Sequence, residues 1–133
     1  MKAAVGYSGT PLPKKLGMDK AQRISILNAP PDYVRSLGIS ATESSQKGSD
    51  LIQFFTKSRA ELERMLPKLR ASIVTNGAIW ISWPKKTAKI ATDLDENVVR
   101  AIALRLDLVD VKVCAVDDTW SGLKLVIPVA LRT

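Results

Sequence analysis

Three lysines, two tryptophans and a pair of aspartates are the residues of this chain best placed to do chemistry, and they recur where extended segments break off. Lys57 and Ser58 follow an apolar run at 50–56, Trp83, Lys85 and Lys86 follow one that begins at Ala78, and Asp117, Asp118, Trp120 and Ser121 follow a valine-rich run at 109–116. Indoles offer flat stacking faces, ammonium groups attract phosphate or carboxylate, and a helix start at Ser58 would add its amides to that field. The candidate ligand-binding residues are therefore Trp83, Lys85, Lys86, Trp120, Lys57, Ser58, Asp117 and Ser121, on the condition that parallel strands bring their ends to one rim. The same residues have structural readings: the two tryptophans can pack on each other or on the N-terminal arm, and Asp117 and Asp118 are good turn formers.

Much chemistry is excluded by what is absent. The chain has no histidine and a single cysteine, Cys114, which removes Ser-His-Asp and Cys-His catalysis, an internal disulfide and the usual zinc ligand sets. Cys114 lies among valines and reads as a small buried apolar residue. Catalytic residues are not identifiable; an enzyme would have to use lysine and aspartate, with Lys85 or Lys112 acting beside Asp117. The net charge of +7 is compatible with a nucleic-acid or other anionic partner, but the basic residues are spread along the chain instead of massed in one run. No apolar run approaches the ~20 residues of a membrane span, and the N-terminus lacks the apolar segment of a secretory signal, so the expected compartment is the cytoplasm.

The elements that must hold these residues follow from patterning. With 46% apolar and 25% charged residues in 133, the chain has the balance of one globular domain. Residues 1–22 are rich in glycine and proline and read as an irregular arm, with Tyr7 and Leu16 packing across a sheet. Strands are predicted at 23–28, 50–56, 78–83, 109–116 and 123–127, and helices at about 31–37, 59–75 and 95–106. Ser58 and Glu61 have the spacing of a capping box, Pro67 should kink or restart its helix, and Asn76-Gly77 should close it. The polar stretch 39–48 could hold a weak strand pairing antiparallel to 50–56. Strand 78–83 is expected at the centre, with Ile79 and Ile81 on one face, Trp80 and Ser82 on the other, and Pro84 as its stop. Together these imply an α/β fold: an open, largely parallel sheet of five or six strands flanked by helices, with an antiparallel C-terminal hairpin joined by Asp117–Gly122.

The strings Gly6-Tyr-Ser-Gly-Thr-Pro-Leu-Pro-Lys-Lys-Leu-Gly17, Asn28-Ala-Pro30, Trp80-Ile-Ser-Trp-Pro-Lys-Lys86 and Val109-Asp-Val-Lys-Val-Cys114, with Asp117-Asp-Thr-Trp-Ser-Gly-Leu-Lys124, resemble a bacterial family of small proteins known only as a domain of unknown function. That resemblance implies a relative and supplies no ligand or reaction. The leading expectation is a non-enzymatic binding or regulatory domain that takes an anionic small molecule or a protein segment at the carboxyl ends of its strands. The alternatives are single-stranded nucleic-acid binding, with lysines on phosphates and tryptophans on bases, and a small enzyme using Lys and Asp.

Overall fold

A computed structural model describes residues 10–132. Five strands, β1 (Ile24–Leu27), β2 (Ser49–Phe55), β3 (Ile73–Pro84), β4 (Val109–Ala115) and β5 (Trp120–Val126), form one sheet in the order β1-β2-β3-β5-β4. β1, β2 and β3 are parallel; β5 inserts antiparallel between β3 and β4. The fold is thus a mixed α/β sheet, parallel on one side and closed by an antiparallel hairpin on the other.

Apolar faces explain where the helices go. In α3 (Arg59–Ser72), Leu62, Leu66 and Leu69 are buried; in α4 (Glu96–Arg105), Val99, Ile102 and Ala103 are. Both helices cover the sheet face that carries Ile52, Phe54, Ile79, Ile81 and Trp83. The opposite face carries Leu51, Phe55 and Trp80, and is covered by α2 (Tyr33–Leu37) and by the segment after the one-turn helix α1 (Leu12–Lys15). Trp80 fastens that segment, its Nε1–H donating to the Leu16 carbonyl at 2.9 Å. Leu16 therefore packs as expected, while Tyr7 lies outside the described residues.

Several boundaries differ from the sequence reading. β3 begins at Ile73, so Asn76-Gly77 lies in a strand, at a register break against β2, and does not end a helix. Close chain approach requires that glycine: a Cβ on Gly77 would sit 2.7 Å from the Asp50 carbonyl and 2.7 Å from Ile73 Cγ1. α3 continues through Pro67, which is exposed, so water can take the carbonyl that the missing N–H leaves free. The stretch 39–48 does not pair with β2. Thr42 instead bridges in parallel to the outer edge of β1, with Ile26 N–H donating to Thr42 O at 2.8 Å and Thr42 N–H to Ile24 O at 2.9 Å. Gly122 is not in the hairpin loop either. It sits inside β5 beneath Trp80, and a Cβ there would meet Trp80 Cε3 and Val116 Cγ2 at 3.2 Å.

Candidate functional site

The carboxyl ends of β1, β2 and β3 open on one rim. At β2, Ser58 caps α3 by accepting from Glu61 N–H at 3.1 Å. The return bond of the capping box runs through a third residue: Ser58 N–H donates to the Thr56 hydroxyl at 3.2 Å, and Thr56 in turn donates to Glu61. Lys57 is exposed, and its carbonyl accepts from Thr92 Oγ1 at 2.7 Å; Arg59 N–H donates to Asp93 Oδ1 at 2.7 Å. These bonds tie the start of α3 to the loop before α4 and make a ridge across the middle of the rim.

On the β3 side of that ridge is a cleft of about 420 Å³ whose walls include Trp83, Pro84, Lys85, Lys86, Leu94 and Ser121, closed by Asp95 and Glu96 at the start of α4. Four of the expected residues, Trp83, Lys85, Lys86 and Ser121, are brought together there. Trp120 is not among them. It stands opposite Pro84 in the β3–β5 ladder, so it shares the end of the sheet with Trp83 but projects from the other face, edge-on to Phe55 at 5.0 Å between ring centroids. The two indoles cannot line one site, because successive residues of a strand alternate faces and Trp83 goes with Ile79 and Ile81. Trp83 is also only 5% exposed, which makes it cleft floor and no stacking platform.

Asp117 and Asp110 are committed to structure. Asp117 Oδ1 accepts from the backbone N–H groups of Thr119 and Trp120, both at 2.8 Å, and so shapes the hairpin turn. Asp110 bonds Arg100 at 2.9 Å, which holds its carboxyl below the usual range, and Lys112 donates to the Lys15 carbonyl at 3.4 Å. The hydrogen bonds of Asp117 and Lys112 are thus structural ones, within the hairpin turn and to the N-terminal segment. Cys114 is half-buried beside Lys15 and Lys112; burial raises its thiol pKa, against the pull of the two lysines.

Beneath Trp120 the other face is packed and polar at its centre. Tyr33 donates to Gln53 Oε1 at 2.8 Å, and Gln53 Nε2 donates to Ser82 Oγ at 3.0 Å. Burial drives the Tyr33 phenol above its ordinary range, while the bond to Gln53 acts in the opposite sense.

On the β1 side of the ridge lie residues that sequence reasoning missed. The turn after β1 is made by Asn28 in the left-handed region, φ 59°. Two adjoining clefts flank this turn, one of about 330 Å³ walled by Leu27, Asn28, Phe54, Glu61 and Met65, the other of about 240 Å³ between Ala29 and Arg35. Both are lined by Glu43, the residue after the Thr42 bridge, whose carboxylate has no partner among the described residues. This is where the chain reverses: from β1 it crosses to Thr42 on one side, then returns to β2 on the other. In open α/β sheets the crevice at such a reversal is the preferred ligand position. An acidic residue some distance past the first strand-to-helix turn was the available signal, and Glu43 is fifteen positions beyond Asn28.

No family model matches the chain, and no curated protein does either. Solved structures do match in fold. PigF with SAH is similar over 89% of this chain and 60% of its own, at TM-score 0.67 and 7% identity. Magnesium protoporphyrin IX methyltransferase from Synechocystis PCC 6803 with bound SAM is similar over 86% and 76%, at TM-score 0.58 and 11% identity. The PH0226 protein from Pyrococcus horikoshii OT3 is similar over 88% of each chain, at TM-score 0.56 and 9% identity. The chain thus spans less than two thirds of the PigF structure.

The chain has the Rossmann-like α/β fold of these structures, and from that the expectation of a non-enzymatic binding or regulatory domain is corrected: the proteins sharing the fold include methyltransferases with SAM or SAH bound. Single-stranded nucleic-acid binding also loses its support, since Trp83 is buried and Trp120 lies on the other face. Among the described residues no helix is long and apolar enough to cross a membrane.

Proposed function

We propose that this chain is a methyltransferase-fold enzyme that holds an S-adenosyl methyl donor at the carboxyl end of β1. The observation that carries the reading is the Glu43 carboxylate, unpartnered among the described residues, at the junction of the two clefts where the chain reverses direction. The loop after β1 has no glycine, and Pro30 and Pro31 lack N–H groups, so it does not form the phosphate cradle of dinucleotide folds. An adenosyl sulfonium carries no phosphate and needs none. It needs an acceptor for its ribose hydroxyls, which Glu43 supplies, and an apolar wall for its base, which Leu27, Phe54 and Met65 supply. The donor brings a methyl group on a positively charged sulfur that leaves as a neutral thioether, so positioning matters more than a general acid. A chain without histidine meets that demand.

Calorimetric titration with S-adenosylmethionine and S-adenosylhomocysteine tests the proposal, with NADH as the phosphate-bearing control. Binding of both sulfur nucleosides, weakened about tenfold or more in Glu43→Gln as expected for a lost charged hydrogen bond, and no binding of NADH support it. Absence of binding by either nucleoside, or binding indifferent to Glu43, overturns it.

A further inference from the structure

We propose that the cleft at the carboxyl end of β3 is a subsite for a zwitterion: a small molecule with a carboxylate and an amine on an apolar body. Its role as the acceptor site rests on the methyl-transfer reading; its occupancy does not. The walls carry opposite charges. On one side, the Lys85 and Lys86 ammonium groups have no ion-pair or hydrogen-bond partner among the described residues. On the other, Asp95 and Glu96 each have one oxygen engaged, Asp95 Oδ1 by Val98 N–H at 2.8 Å and Glu96 Oε2 by Arg100, and their remaining oxygens are unpaired among the described residues. The floor is apolar, with Trp83 and Leu94 buried at 5% and 6% exposure.

Ligand classes can be sorted by charge. A simple anion would meet Asp95 and Glu96, a simple cation would meet the lysines, and a neutral molecule would use neither wall. A unit charge set against a wall of like sign is repelled, and that repulsion decides among them. Only a molecule bearing both charges satisfies both walls while laying its body on the floor. At about 420 Å³ the cleft is within the range of small-molecule sites. It opens two strands away from the Glu43 clefts, roughly 10 Å across the rim.

The test uses L-phenylalanine as the zwitterionic probe, with N-acetyl-L-phenylalanine as its anionic and L-phenylalanine methyl ester as its cationic counterpart, each titrated without donor into isotopically labelled protein and followed by amide resonances. The expected result is that phenylalanine shifts the amides of Lys85, Lys86 and Glu96 and that either blocked form binds about tenfold more weakly. Lys85→Ala with Lys86→Ala should erase the preference over the ester, and Glu96→Gln should reduce the preference over the acetylated form. Equal binding of a blocked form, or no shift of these amides at millimolar phenylalanine, overturns the proposal. Addition of S-adenosylhomocysteine to the same sample is read separately at Asn28 and Glu43. Its failure there while phenylalanine binds would sink the donor reading and leave the zwitterion site standing.

Discussion

The two faces of the sheet end differently at the rim. On the face covered by α2 and the N-terminal segment, Trp80, Phe55, Tyr33 and Trp120 fill the space, and Trp80 and Tyr33 spend their polar atoms on Leu16 and Gln53. On the face covered by α3 and α4, the helices start at the rim and leave clefts on both sides of the ridge, with charged groups in them that are unpaired among the described residues. Apart from the cleft of about 240 Å³ beside α2 at the β1 edge, the first face is built for cohesion and the second for occupancy. Residue type does not separate them, since each has a tryptophan near the rim; what separates them is whether the polar groups already have partners.

That difference can be broken by substitution, and the largest effect belongs to the closed face. Trp80→Ala removes a fully buried indole and the bond that holds the N-terminal segment, and should cost roughly 3–5 kcal/mol in a urea melt. A loss below about 1 kcal/mol would mean that this face is not the stability core. Gly122→Ala comes next. Its Cβ would press on Trp80 and Val116 at 3.2 Å, and an overpacking cost of about 1–3 kcal/mol is expected.

Tyr33→Phe leaves Gln53 Oε1 without its donor and should cost about 1–3 kcal/mol. It also sharpens the comparison through pH. Because burial raises the folded-state pKa of Tyr33 above its unfolded value near ~10, its contribution is fully present below that value and is lost as pH rises beyond it. The wild type should therefore lose stability more steeply than Tyr33→Phe in alkaline melts, and parallel curves would contradict the burial account. On the open face, Lys85→Ala should change stability by no more than ~0.5 kcal/mol, since its ammonium is unpaired among the described residues. A larger loss would show that the cleft wall is structural.

Part of this division was legible in the sequence. Alternation along Ile79-Trp80-Ile81-Ser82-Trp83 assigns Trp80 and Trp83 to opposite faces, and the capping signal at Ser58 located the start of α3. The face of Trp120 was not legible, because it depends on where the hairpin turns; Asp117 draws the turn tight, and Trp120 enters β5 where a loop was expected. Thr42 was also hidden. One bridged residue carries no strand periodicity, yet it marks the reversal at β1 and with it the position of Glu43. Gly77 and Gly122 misled for a common reason: each is required by a neighbouring chain packing close, which local pattern does not record.

Whether the β1 reversal is the nucleoside site is read straight from a crystal structure grown with S-adenosylhomocysteine. Density is expected beside Leu27 and Asn28, with both ribose hydroxyls on the Glu43 carboxylate. Density confined to the β3 cleft or to the amino ends of the strands, or none at saturating ligand, would contradict it.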